Sequence, residues 1–217
     1  MDHALILLRS HLREEVRRGE VLLVTIPFGA LALLIVPLAI GVDTPLLDRV
    51  GPGLFWSVVL LFGLLVTQRV SATPDQARRD LMALLGVDPA AGFLGAAAAS
   101  GLLLIMFEIV VGAVMISIYD PDLSGWGWLA VVVVLTAAGL SLLGTLVART
   151  VAGLGHSTTL APFLIAPIAV PILLAAAQAT EGLRAGAGIL RWIILLAIVD
   201  IALALVGVLT ARSLEEA

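Results

Sequence analysis

Two carboxylates stand where water is scarce. Glu108 and Asp200 lie within "LLLIMFEIVVGAV" and "IILLAIVDIALAL", each flanked on both sides by apolar residues. A charged side chain at the centre of a bilayer costs about 2.5 to 3.5 kcal/mol on insertion scales, so both acids must face protein or water. Three chemistries fit such groups. They can carry a proton or ion along a pathway, perform acid–base work in an intramembrane enzyme, or stay protonated and fix helix packing. Two neighbouring carboxylates also resist double ionisation, so a shared proton is a fourth arrangement.

Other reactive groups are sparse. The chain has no cysteine, which removes disulfides, thiolate metal sites and a thiol nucleophile. All twelve basic residues are arginine. Without lysine there is no P-loop, so the chain does not hydrolyse ATP by that machinery on its own. The net charge of −4 argues against nucleic acid, which requires a basic face. The histidines are His3, His11 and His156.

The elements that must position these groups are membrane helices. Hydrophobic residues make up 61% of the 217 and charged residues 13%, against about a quarter in soluble domains. Mean hydropathy is +1.15. Six apolar segments approach or exceed the roughly 20 residues that cross a hydrocarbon core. They lie at about 21–42, 53–70, 93–119, 128–147, 160–179 and 190–211, within one transmembrane domain covering 1–217. Residues 2–20 place Leu5, Leu8, Leu12 and Val16 on one stripe and Arg9, Arg13, Glu14 and Arg17 on the other side. That pattern predicts an amphipathic helix lying in the interface rather than a cleaved signal peptide.

Arginine bias sets the expected orientation. With the N-terminus inside, Arg9, Arg13, Arg17, Arg18, Arg69, Arg78, Arg79, Arg149 and Arg212 are cytoplasmic, against Arg49, Arg184 and Arg191 outside. Both termini are then cytoplasmic. The one longer loop, 71–92, contains "TPDQARRDLMALLG", in which Thr73 caps, Pro74 starts and Gly86 ends a short helix at about 74–85. Its apolar face carries Ala77, Leu81, Leu84 and Leu85. The sharper reading of this helix is a handle for a cytoplasmic partner.

Pro162, Pro167 and Pro171 fall inside the fifth apolar segment. A membrane helix tolerates such interruptions where neighbours repair the lost backbone bonds, so Pro167 and Pro171 predict a kink. Trp126 and Trp128 flank the expected external start of the fourth span, as an interfacial aromatic belt or an aromatic platform for a ligand would, and Trp56 stands at the outer end of the second span. Gly92, Gly95 and Ala99 offer small-residue spacing for close helix contact, within the chain or between copies.

Taken in order, "LLDRVGPGLFWSVVLLFGLLVTQRV", "DLMALLGVDP", "SGWGW" and "APIAVPILL" resemble the CcmB family (haem exporter protein B), permease subunits of the cytochrome c maturation ABC transporter. The resemblance extends over almost the whole chain. Two stretches depart from it, "SATPDQ" after the second span and "GLGHSTT" before the fifth, both on the expected cytoplasmic side. The resemblance implies a six-span, all-helical subunit of ABC-exporter type in a bacterial inner membrane. It implies a non-catalytic role, with ATP bound by a separate CcmA-like ATPase that docks through Arg78, Leu81, Met82, Leu84 and Leu85. Further implied partners are a CcmC-like haem-handling subunit, a small CcmD-like subunit, a CcmE-like haem chaperone and a second copy of this chain. Haem is then cargo of the complex rather than a bound cofactor. No histidine lies on the expected external side, so the chain is poorly equipped to ligate haem iron there. The rival readings are an autonomous secondary transporter, which usually shows internal repeats not found here, and an intramembrane enzyme using Glu108 and Asp200.

Overall fold

Proline and glycine punctuate the helices. In a computed structural model of the chain, the residues described are 9, 13, 19, 21–41, 44–70, 86, 88–121, 125–153 and 161–213. A π-helical turn, Val21–Thr25, leads into α1, Ile26–Ile40. There follow α2, Thr44–Val70; α3, Pro89–Tyr119; α4, Trp126–Gly153; α5, Ala161–Arg184; and α6, Leu190–Ser213. Pro27 stands at the start of α1, where its missing N–H costs nothing. At α3 the Asp88 carboxylate accepts from the Ala90 N–H at 3.0 Å, and Pro89 takes the first position. Asp120, in the left-handed region at φ 43°, ends the same helix, and its N–H reaches the Ile116 carbonyl.

Among the described residues each of the six apolar segments is helical, and the fold they form is an all-helical, polytopic membrane-type bundle. Among the described residues, four helices are long and apolar enough to cross a bilayer: Pro45–Thr67, Pro89–Tyr119, Gly127–Val151 and Leu190–Ser213. Leu23–Ala39 is a shorter apolar helix. The boundaries differ from expectation mainly at α2, which begins nine residues early, at Thr44 instead of Gly53, and takes Pro52 into its interior. Apolarity stops where side chains meet water, whereas backbone hydrogen bonding continues for another turn or two.

The helices α3 and α4 form the centre. Helix α3 packs on α1, α2, α4 and α6, while α4 packs on α2, α3, α5 and α6. Phe107, Leu104, Leu140, Leu143 and Ile172 fill the space between them. Small residues let the backbones approach. A side chain at Gly207 would meet the Phe93 ring, and one at Gly144 would meet Thr67. Gly95 and Ala99 are buried within the chain, and Gly92 faces the Arg149 guanidinium. The small-residue spacing of α3 therefore serves contacts inside this subunit.

The outer surface is apolar. Leu190, Ile194, Ile198, Ile201, Leu205 and Leu209 form an exposed stripe along α6. Phe28, Leu31, Ile35 and Leu38 do the same on α1. In water such stripes would drive aggregation; in a bilayer they face acyl chains of the same polarity.

Candidate functional site

At the end of the bundle expected outside, three contacts cross between helices. Pro37 has no N–H, so the carbonyl of Leu33, four residues earlier, loses its helical donor. The Tyr119 hydroxyl donates to that carbonyl at 2.6 Å. The same ring lies against Gly51, where a Cβ would stand 3.0 Å from it. Tyr119 of α3 thus wedges between α1 and α2. Next, the Trp56 indole Nε1 donates to the Thr180 Oγ1 at 3.0 Å, joining α2 to α5, and Thr180 donates in turn to the Ala176 carbonyl. Last, the Arg184 guanidinium pairs with Asp48 at 2.6 Å and with Glu181 at 3.0 Å. This clamps the C-terminal end of α5 to the start of α2.

Asp48 and Arg184 stand out in sequence only as isolated charges near span ends. Tyr119 offers a better signal: it is the only tyrosine, and Pro37 announces an orphan carbonyl in α1. Which hydroxyl fills that gap is a tertiary matter.

Trp56 is buried and hydrogen-bonded, a structural element of the α2–α5 seam. Trp128 is 51% exposed at the start of α4.

Both intramembrane acids are buried. Glu108 is 1% exposed and Asp200 8%. None of their four carboxyl oxygens has a hydrogen-bond partner among the described residues. They therefore do not share a proton through a direct hydrogen bond. Asp200 lies on Gly139 of α4: a Cβ there would be 2.6 Å from its Oδ1 and 3.2 Å from Ile172 of α5. The carboxyl fits only because α4 has no side chain at that point. Among the described residues no three His, Cys, Asp or Glu side chains gather where a metal could bind.

At the opposite end, Arg149 of α4 is half-buried. Its Nη1 donates to the Pro89 carbonyl at 3.4 Å, and its guanidinium lies 5.7 Å from the Phe93 ring centroid. Arg212 of α6 stands 3.9 Å from Asp88. The first turn of α3 is thus tied to α4 and α6.

Helix α5 runs through both interior prolines without losing helical assignment. Pro167 is exposed and Pro171 half-buried. Each withdraws one N–H, leaving the carbonyls of Phe163 and Pro167 without their usual helical donors. The selected residues Arg78, Leu81, Met82, Leu84 and Leu85, the histidines, the interfacial helix at 2–20 apart from Arg9, Arg13 and Gly19, and the Trp126 side chain lie outside the described residues.

A cleft of about 550 Å³ opens at the expected external end. Its walls are the start of α4 and the α5–α6 hairpin. The hairpin has a clear local cause. Gly186, at φ +62°, stops α5, with the Ala187 N–H reaching the Gly182 carbonyl at 2.8 Å, the pattern of a Schellman cap. Ile189 then accepts from Trp192 and Ile193 to start α6.

The chain matches the model of the CcmB protein family over residues 2–216. It is 27% identical over 185 residues to "Heme exporter protein B" of Bradyrhizobium diazoefficiens, covering 83% of this chain and 82% of the relative. The protein of the same name from Paracoccus denitrificans is 28% identical over 202 residues, 90% of each chain. That of Rhodobacter capsulatus is 29% identical over 177 residues, 79% of each. With a family match over nearly its full length and an all-helical, membrane-type bundle to match, this chain belongs to the CcmB protein family.

Proposed function

We propose that this chain is the permease subunit of an ABC-type complex for cytochrome c maturation, coupling ATP hydrolysis by a separate ATPase subunit to haem delivery or to release of a haem-loaded chaperone. The observation that carries this reading is the family match over residues 2–216, with relatives named heme exporter protein B, in a chain without a P-loop lysine. Haem is cargo, and the chain itself is non-catalytic. It works in a bacterial inner membrane with both termini cytoplasmic, as two copies with CcmA-like, CcmC-like and CcmD-like subunits and a CcmE-like chaperone.

The mechanical logic follows from the bundle. The helix expected at 74–85 is where the ATPase pushes. The clamped end, held by Tyr119, Trp56 and Arg184, acts as a fulcrum. Glu108 and Asp200 serve as packing groups, because an unpaired carboxylate buried inside the bundle would be costly. The rival transporter and enzyme readings need a polar path or a converging pair at these acids, and no hydrogen bond joins them.

The test is complementation in bacteria lacking their own B subunit, scored by covalent haem in a reporter cytochrome c. Restored maturation that also requires the ATPase's P-loop lysine, with the ATPase recovered alongside this chain, is the expected result. Maturation independent of the ATPase would overturn the proposal.

A further inference from the structure

At the end of the bundle opposite the Asp48–Arg184 clamp, two arginines share one carboxylate. Three candidate membrane spans meet water there: one begins at Pro89, one ends at Val151 and one ends at Ser213. Arg149 of α4 donates from Nη1 to the Pro89 carbonyl at 3.4 Å, and Arg212 of α6 stands 3.9 Å from the Asp88 carboxylate. Both guanidinium groups thus lie at the same turn of chain. The Phe93 ring links them further. It lies under the Arg149 guanidinium and also fills the space that a side chain at Gly207 of α6 would need. Asp88 has little left to offer, since its Oδ1 already accepts from the Ala90 N–H. Arg149 pairs with no carboxylate among the described residues, and its one hydrogen bond there is long. None of its nitrogens is both buried and unpartnered, so its remaining donors reach the surface.

An apolar track leads up to this pair. Ile198, Ile201, Leu205 and Leu209 are exposed along α6, and Arg212 takes the next place in the same spacing of three and four. The rise from Ile201 to Arg212 is ~16 Å, against ~15 Å for the hydrocarbon of one leaflet. We propose that this end binds an anionic phospholipid, its phosphate held across Arg149 and Arg212 and an acyl chain laid along the stripe of α6. The phosphate supplies the negative charge that one shared carboxylate does not, and its oxygens accept from the guanidinium donors. Basic sites between the ends of membrane helices are suited to such headgroups. A soluble phosphate ester offers the same chemistry to the arginines. The exposed stripe ending at Arg212 favours the lipid, because a soluble anion makes no use of it. A bound headgroup ties the ends of α3, α4 and α6 together.

Lipid retention provides the test. The full chain in a neutral detergent is given dioleoyl phosphatidylglycerol or dioleoyl phosphatidylcholine, and bound lipid is counted by native mass spectrometry. The anionic lipid should be retained on the order of tenfold better than the zwitterionic one. Arg149→Gln and Arg212→Gln should each lower that preference several-fold, and together bring it to parity. Arg191→Gln, an exposed arginine at the other end of α6, should leave it unchanged. Asp88→Asn gives the sharpest arm. Asparagine still caps the Ala90 N–H but no longer competes for Arg212, so phosphatidylglycerol should bind a few-fold tighter. Thermal unfolding without added lipid shows which variants are folded. Arg212 is an exposed side chain, so Arg212→Gln and Asp88→Asn keep the test decisive even where Arg149→Gln does not fold. Millimolar glycerol 3-phosphate should fail to displace the lipid; displacement would assign the site to a soluble anion and overturn the proposal. So would equal retention of the two lipids, a preference that survives in the folded double variant, or weaker binding after Asp88→Asn.

Discussion

The hydroxyl of Tyr119 donates to the carbonyl of Leu33 at 2.6 Å, on the turn of α1 that Pro37 leaves without a donor. A side chain 86 residues away thus completes a backbone bond that proline removed. Tyr119→Phe keeps the ring in its slot against Gly51 and orphans the carbonyl. The expected loss is about 1 to 3 kcal/mol of stability, since a buried acceptor then has no partner. Pro37→Ala restores the helical N–H, so Tyr119→Phe should cost much less in that background. Thermal unfolding of the four proteins in detergent measures the coupling; strictly additive effects would mean the two sites are independent.

The seat of Asp200 on Gly139 makes a second pair. Gly139→Ala forces a methyl toward the carboxyl, 2.6 Å away, and toward Ile172. Overpacking of this kind typically costs about 1 to 3 kcal/mol. Shortening the acid by Asp200→Ala should recover a large part of that loss, while Asp200→Asn should recover none. Protein recovered from membranes and melting temperature provide the measurement. Tolerance of Gly139→Ala in the parent chain would show that α4 and α6 can separate there at little cost.

Much of this was visible in the residues, and the limits have a physical origin. Hydropathy located all six helices because the bilayer core demands long apolar runs. It placed several of their ends too far inward, at α2 by nine residues, because helical hydrogen bonding outlasts apolarity. The signal "Asp-Pro" at 88–89 marks the true start of α3 four residues before Phe93, its first strongly apolar side chain. Glu108 and Asp200 were conspicuous as acids in apolar runs, but the seat of Asp200 on Gly139 was not. Lipid and protein interior are equally apolar, so periodicity cannot tell which helix face meets another helix. Trp56 shows the same limit. It stands at the outer end of a span, and only the packing of α2 on α5 reveals Thr180 as its acceptor.

The helix expected at 74–85 yields a test of partner docking. Leu81→Asp or Leu84→Asp places a charge on its apolar face, which would have to lose its hydration against a protein surface. Either variant should abolish recovery of the ATPase with this chain while the chain itself still inserts. Full ATPase recovery with both variants would remove the docking role from this helix.

Pro167 and Pro171 give the sharpest test of motion. Both lie inside α5, whose far end is held by Trp56 at Thr180 and by Asp48 at Arg184. A helix fixed at one end and weakened in its first half can bend at the weak turns when the other end is pushed. Replacing both prolines by alanine returns two backbone hydrogen bonds and removes the ring clashes, so α5 stiffens. The doubly substituted chain should insert normally and unfold at the same or a higher temperature. The assembled complex should still bind ATP, yet maturation of a reporter cytochrome should fall, because a stiff α5 no longer converts the push into movement at the clamped end. A purely shaping role gives the opposite order, with insertion or assembly failing first. Measuring membrane recovery and covalent haem in the same cells separates the two, and normal values of both would show that the prolines are dispensable for motion.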